Sequence, residues 1–137
     1  MSLRYTLSDI WNLDIALPKT AIVFIRWDLW AGKTALSQML IRRILGQNIS
    51  VTSPTYTYYN RYESIYHFDL YRLKNYDEFF AIGGEDILDN HDWIILIEWP
   101  ELIMPHYTAD IEIVLKKTDI PDEREISVIY GSKPQES

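Results

Sequence analysis

The segment from residue 21 to residue 45 constrains the fold most strongly, because it joins a buried strand to a helix through a loop that ends in Gly-Lys-Thr. Residues 21–26 (AIVFIR) are a short β-branched and aromatic run, which is typical of a buried strand. Residues 33–45 carry apolar side chains at helical spacing, and Gly46 follows as a helix stop. A strand, a loop and a helix within about 30 residues open a βαβ unit, so we predict an α/β domain with a central sheet.

The loop itself, residues 27–34 (WDLWAGKT), matches the last three positions of the phosphate-binding pattern G-x-x-x-x-G-K-[ST]. Backbone N–H groups at the start of a helix bind anions, and the helix dipole favours negative charge there. In this pattern Lys33 reaches the β- and γ-phosphates of a nucleotide, and the Thr34 hydroxyl binds Mg²⁺. Gly-Lys-Thr also occurs by chance, so the alternative is an ordinary helix start with Gly32 near its cap.

Two carboxylates follow later predicted strands. Glu98 comes directly after residues 93–97 (WIILI), the clearest buried strand in the chain, which is the position of a Walker-B carboxylate. Asp69 lies near the end of the strand predicted over residues 64–70. Either acid alone is compatible with a solvated strand end. Since ligands collect at the carboxyl ends of strands in open α/β sheets, the two acids and Gly-Lys-Thr together indicate a metal and phosphate site.

The remaining patterns are weaker. They predict a helix at 8–16, an extended stretch at 56–62, a helical region at 77–88 interrupted by Gly83-Gly84, a short helix up to Pro105, and late strands at 109–116 and 124–130. We interpret the tyrosines of 56–62 as packing residues on a half-buried strand rather than as platforms for base stacking. We predict one α/β domain over residues 1–130 and a flexible polar tail over residues 131–137.

Composition excludes several classes of site and partner. The chain has no cysteine, which excludes disulfides and thiolate metal sites. Its formal net charge of −7 disfavours unaided binding to RNA or DNA and fits a protein partner better. The N-terminus lacks a secretory signal, and no apolar segment approaches the roughly 20 residues that span a bilayer. We therefore expect a cytoplasmic protein with no membrane partner.

Four short motifs follow one another along the chain. They are DL and AGKT at 28–29 and 31–34, SPTY at 53–56, HFDLYR at 67–72, and IEWPE at 97–101. In this order they resemble the TsaE (YjeE) family, the P-loop ATPase that bacteria need to make the threonylcarbamoyladenosine modification of tRNA. The resemblance covers nearly the whole chain. It implies a P-loop NTPase-like fold with a central mixed β-sheet flanked by helices.

The resemblance also implies roles for the matching residues. The implied nucleotide-binding residues are Asp28, Leu29, Trp30, Ala31, Gly32, Lys33, Thr34, Ala35 and Trp99. Thr34, Asp69 and Glu98 match the Mg²⁺ site, and Lys33, Thr55 and Glu98 match the catalytic residues. Ser53, Pro54 and Thr55 match a switch-like loop on the γ-phosphate side.

Two residues of the HFDLYR motif have less specific roles. Arg72 either contacts a phosphate or pairs with an acid in the core, and His67 is expected to be a hydrogen-bonded structural residue.

The implied activity is that of an ATPase subunit with ATP as substrate and Mg²⁺ as cofactor. Its implied partners are proteins of the TsaD and TsaB type, and its contact with tRNA is indirect. Hydrolysis would reset the partner complex between cycles.

The chain departs from the family pattern G-D-L-G-A-G-K-T, because Trp27 and Trp30 replace two glycines. Glycine permits a left-handed backbone, which costs an L-residue roughly 1–2 kcal/mol. Two such penalties would weaken ATP binding by roughly 10²-fold. An alternative function is therefore a non-catalytic docking module with an impaired loop. A small-molecule P-loop kinase is a third alternative, although no arginine-bearing lid is evident in the sequence.

Overall fold

A computed structural model describes residues 2–6, 15, 17–27, 33–46, 58–63 and 65–131, with only the backbone at residues 2, 3, 27 and 33–35. In chain order the strands and helices are β1 (Ser2–Thr6), β2 (Ala21–Trp27), α1 (Lys33–Leu45), β3 (Tyr59–Tyr62), β4 (Ile65–Asp69), α2 (Tyr76–Ala81), α3 (Gly84–Asp89), β5 (Ile94–Glu98), a 3₁₀ turn (Pro100–Leu102), β6 (Ile111–Lys117) and β7 (Glu123–Tyr130). No helix in these residues is long and apolar enough to cross a membrane.

The seven described strands form one mixed sheet in the order β1-β7-β6-β2-β5-β4-β3. The four central strands, β6, β2, β5 and β4, run parallel, and the outer pairs are antiparallel. Every residue of β5 is buried, as expected for a parallel strand covered on both faces. The predicted fold class, a mixed sheet flanked by helices, is confirmed.

Each face of the sheet has its own apolar core. On one face α1 packs Leu36, Met39 and Leu40 against inward residues of the parallel strands such as Val23 and Leu96. On the other face lie α2, α3 and the 3₁₀ turn, which contribute apolar residues to a second cluster around Phe68 and Phe79. The ring centroid of Tyr59 is 5.0 Å from that of Phe68, so this tyrosine is a packing residue, as predicted.

Most elements lie where their patterns predict them. The glycine pair at 83–84 separates α2 from α3, and the helix expected before Pro105 is the short 3₁₀ turn. The exception is β1, which sequence reasoning missed. The helix predicted at 8–16, the residues 51–57 and the tail at 132–137 lie outside the described residues, apart from residue 15.

The missed strand β1 carries a buried tyrosine. Tyr5 is 6% exposed, and its hydroxyl has no hydrogen-bond partner among the described residues. Burial raises the pKa of Tyr5 to about 12, partly opposed by the charge of Arg124. The pKa of Tyr5 in the folded chain lies above the value of about 10 that it has in an unfolded chain. The contribution of Tyr5 to the free energy of unfolding is therefore fully present below about pH 10 and is lost as the pH rises through the folded pKa.

Tyr5→Phe is therefore expected to be at least as stable as the wild type at about pH 8, because it removes a buried hydroxyl without a described partner. At about pH 11 the free energy of unfolding of Tyr5→Phe should exceed that of the wild type by more than it does at about pH 8. The difference should grow by at most about 1.4 kcal/mol for each pH unit above 10. Denaturant unfolding at the two pH values measures this. Tyr130→Phe, at an exposed tyrosine of β7, is the control and should give no such growth. An advantage that shrinks with rising pH would contradict the prediction.

Candidate functional site

The carboxyl ends of β2, β5 and β4 lie side by side in the sheet. Asp69 ends β4 and Glu98 ends β5, and the two residues are paired in register. On its other side Glu98 pairs with Ile25 of β2, shortly before that strand leads through residues 28–32 toward α1. Both acids therefore lie at the sheet edge where the chain enters α1, which is where the strand-end rule predicts a ligand.

Glu98 is fully buried, which is unusual for a carboxylate. Its Oε2 accepts a hydrogen bond from Ser37 Oγ at 2.9 Å and also contacts Nε2 of His67. Both partners are fully buried too. Ser37 is the fifth residue of α1, so this contact ties the end of β5 to the N-terminal half of the helix.

The second oxygen of Glu98, Oε1, has no hydrogen-bond partner among the described residues. A buried carboxylate oxygen without a donor is costly, because it has lost its hydration. A hard cation such as Mg²⁺ prefers oxygen ligands of this type. The carboxylate therefore fits a metal ion, although no group of three or more acidic or histidine side chains gathers around one point among the described residues.

Asp69 is held by its own backbone turn. Its Oδ1 accepts a hydrogen bond from the N–H of Tyr71 at 3.0 Å, and the N–H of Leu70 donates to the carbonyl of Glu98 at 3.1 Å. The chain after β4 is thus fastened to the end of β5. Asp69 itself is half-buried, so its carboxylate lies at the rim of the sheet edge, while that of Glu98 lies inside.

Trp99 follows Glu98 in a left-handed conformation, with φ 57° and ψ 57°. For an L-residue this backbone costs roughly 1–2 kcal/mol, and such strain is concentrated at functional sites. Its ring centroid lies 4.9 Å from that of Tyr71, which is 59% exposed. The two rings form an aromatic surface beside the acidic strand ends. Arg72 is exposed, with its guanidinium 5.8 Å from the Tyr58 ring centre, which excludes the core position considered for it.

Arg26, near the end of β2, links this strand to β6 and to the 3₁₀ turn at the same edge of the sheet. It donates hydrogen bonds to Glu112 of β6 at 2.9 Å and to Glu101 of the 3₁₀ turn at 3.3 Å. The hydrogen bond to Glu112, reinforced by Glu101, raises the pKa of the Arg26 guanidinium. The segment after Trp99 is thereby anchored to the end of β2.

Trp27 corrects one expectation from the sequence. It is the last residue of β2 and pairs in register with Leu115 of β6, so its backbone is extended. The left-handed penalty assigned to Trp27 is therefore wrong, because this position belongs to the strand and not to the turn of the loop.

Among the other predicted site residues, Lys33, Thr34 and Ala35 form the start of α1, where only the backbone is described. Residues outside the described ranges altogether are Asp28, Leu29, Trp30, Ala31, Gly32, Ser53, Pro54 and Thr55. Their roles stay predictions.

Sequence reasoning did not identify Ser37 as part of the site. The available signal was its spacing: Ser37 precedes Leu40 by three residues and Ile41 by four, so its hydroxyl lies on the buried face of α1. His67 was expected to be a hydrogen-bonded residue, and its contact with Glu98 agrees with that.

Glu98→Gln keeps the size of the side chain and replaces the buried carboxyl group with an amide. In EDTA we expect its free energy of unfolding to equal that of the wild type or exceed it by up to about 2 kcal/mol, because a carboxyl group with one unpaired oxygen is costly to bury. Urea unfolding measures this. Glu63→Gln, at an exposed position, is the matched control and should change stability by less than about 0.5 kcal/mol. A loss above about 1 kcal/mol in Glu98→Gln would show that the carboxyl group serves stability.

Known proteins resemble this chain in both sequence and fold. The family profile of the threonylcarbamoyl adenosine biosynthesis protein TsaE matches residues 7–126. The tRNA threonylcarbamoyladenosine biosynthesis protein TsaE of Rickettsia conorii is 37% identical over 123 residues, which cover 86% of this chain and 69% of that protein. The protein of the same name from Haemophilus influenzae is 40% identical over 124 residues, or 85% of this chain and 75% of that protein.

A solved structure agrees with these relatives. The crystal structure of Bacillus subtilis YdiB matches with a TM-score of 0.65 at 26% identity, covering 97% of this chain and 86% of that one. Since the profile spans most of the chain and the relatives match over most of its length, the chain belongs to the TsaE family of threonylcarbamoyl adenosine biosynthesis proteins.

Proposed function

We propose that this chain is an ATP-binding and ATP-hydrolysing subunit that supports the threonylcarbamoyladenosine modification of tRNA. The observation that carries the proposal is the buried Glu98 carboxylate, which lies at the end of β5 and is tied to the N-terminal half of α1 through Ser37. Family membership supports the pathway, since the relatives are named for this biosynthesis.

The start of α1 is suited to an anion. The helix is 13 residues long and has no acidic residue in its first turn, while Arg42 and Arg43 lie in its last turn. This distribution leaves the positive end of the helix dipole available to phosphate. Lys33 would bind the β- and γ-phosphates of ATP, and the backbone of Gly32 and its neighbours would surround them.

Thr34, Asp69 and Glu98 would hold Mg²⁺. When bound, Mg²⁺ neutralises negative charge on the phosphates. Oε1 of Glu98 is the atom best suited to this role, because Oε2 already accepts from Ser37. Thr55 would orient the attacking water, and Trp99 would lie beside the nucleotide. Phosphoryl transfer depends chiefly on positioning and electrostatics, so a strong general base is unnecessary.

The partners proposed are proteins of the TsaD and TsaB type, which would carry out the transfer to tRNA. ATP binding and hydrolysis would change and reset that complex between cycles. The net charge of −7 supports a protein partner over direct contact with tRNA. The compartment proposed is the cytoplasm.

A second candidate is a non-catalytic docking module, and Trp30 is the observation that favours it. Trp30 replaces a glycine of the family pattern, and a left-handed backbone there would cost roughly 1–2 kcal/mol, which weakens ATP binding about tenfold. Trp27 adds no such backbone cost, because it ends β2 in an extended conformation. The remaining penalty is small enough that we favour the ATPase.

Lys33→Ala is expected to weaken MgATP binding by about 10- to 100-fold, because a charge-assisted hydrogen bond to phosphate contributes about 1.5–3 kcal/mol. Calorimetric titration measures the affinity, and phosphate release in the presence of the partner proteins measures the activity. Arg43→Ala removes the same charge from the exposed last turn of α1 and should leave both unchanged. A wild-type chain that binds no MgATP, alone or with its partners, would exclude the ATPase.

Trp30→Gly separates the two candidates. For the ATPase we expect MgATP binding in the wild type and an increase of about tenfold in the variant, because the left-handed backbone penalty is removed. Trp27→Gly is the matched control and should give no increase. The docking module instead requires that MgATP binding be absent in the wild type and appear only when glycine is restored.

A further inference from the structure

We propose that Ser37 and His67 are positioning residues, which fix the orientation of the Glu98 carboxylate so that Oε1 faces the Mg²⁺ of a bound nucleotide. This inference rests on the proposed function, since it concerns the same site. It adds two residues that no phosphate-loop or strand-end motif identifies.

The two partners approach Glu98 from different elements. Ser37 comes from α1, which covers the sheet, and His67 comes from β4, the strand beside β5. Along β4, Ile65 and His67 alternate with residues of the opposite core, so the imidazole lies on the α1 side of the sheet. The carboxylate is therefore contacted by α1, which covers the sheet, and by the neighbouring strand β4, and these two contacts fix its rotation.

Both contacts are made to the same oxygen. Ser37 Oγ donates to Oε2, and Nε2 of His67 contacts Oε2 as well. For that contact to be a hydrogen bond to a carboxylate, Nε2 must carry the proton and donate it. Oε1 receives no hydrogen bond from the described residues, although it is equally buried.

This distribution distinguishes positioning from simple stabilisation. Two donors that only compensated a buried charge would satisfy it better if each bonded a different oxygen, because an unpaired buried oxygen costs roughly 1–3 kcal/mol. Here both partners contact the same oxygen, and no described residue donates a hydrogen bond to the other. The arrangement leaves Oε1 available as a ligand and uses Oε2 to orient it, as partners behind metal ligands commonly do.

Three variants of the full chain test the proposal: Ser37→Ala, His67→Asn and His67→Gln. Glutamine carries an N–H near the location of Nε2, whereas asparagine carries one only near Nδ1. Two quantities are measured by titration. One is the Mg²⁺ concentration for half-maximal ATP binding, and the other is ATP affinity in EDTA. Ser127→Ala, at a half-buried serine of β7 away from the site, is the control.

Loss of a partner behind a metal ligand typically weakens metal affinity by about 10- to 100-fold. We expect Ser37→Ala and His67→Asn to raise the half-maximal Mg²⁺ concentration by about that factor, with ATP affinity in EDTA unchanged. His67→Gln should restore most of the loss, and Ser127→Ala should have no effect. If Ser37→Ala does not fold, the two His67 variants still decide.

Variants that lose thermal stability but keep the wild-type dependence on Mg²⁺ would overturn the proposal, because Ser37 and His67 would then be structural only. A wild type whose ATP binding does not depend on Mg²⁺ is a different failure. It would overturn the proposed metal site itself, and the positioning role with it.

Discussion

The contact of the Glu98 carboxylate with Ser37 and His67 is the interaction on which the site depends. Removing a carboxylate from water costs several kcal/mol unless its partners compensate. Glu98 is nevertheless fully buried between the sheet and α1, in a strand whose other residues are all isoleucine or leucine. Among the described residues its partners contact one oxygen only. Such an arrangement is costly for stability, and the proposed role in metal binding accounts for it.

The parallel centre of the sheet brings the other parts to the same place. Because β2, β5 and β4 are neighbours with a common direction, Asp69 and Glu98 meet at one edge. The apolar face of α1, which includes Leu36 and Leu40, packs on this part of the sheet and brings Ser37 to Glu98. The same packing directs the start of α1 toward the strand ends, so phosphate and metal would be bound next to each other.

The sequence predicts the central elements because their signals are local. β5 is a continuous apolar run, and α1 has helical spacing and a glycine stop, so neither depends on distant contacts for its recognition. β1 is different. It is a short edge strand with exposed Arg4 and Thr6, and its conformation depends on pairing with β7, more than 100 residues later in the chain.

The same distinction applies to the site. Strand-end position identifies Asp69 and Glu98, and the motif order identifies their family, because both are patterns along the chain. Ser37 could not be found in this way, since a serine in a helix gives no local sign of a distant carboxylate partner. The backbone cost assigned to Trp27 was wrong for a related reason. Pairing with Leu115 extends β2 through this residue, and pairing partners are not visible in a motif.

The most direct test of the central claim is a crystal structure of the chain with Mg²⁺ and a non-hydrolysable ATP analogue. We expect Oε1 of Glu98 about 2.1 Å from Mg²⁺, or hydrogen-bonded to one of its waters, while Ser37 and His67 remain on Oε2. The phosphates should lie at the start of α1. A structure with Oε1 turned away from the metal, or with the indole of Trp30 in the phosphate position, would contradict the claim.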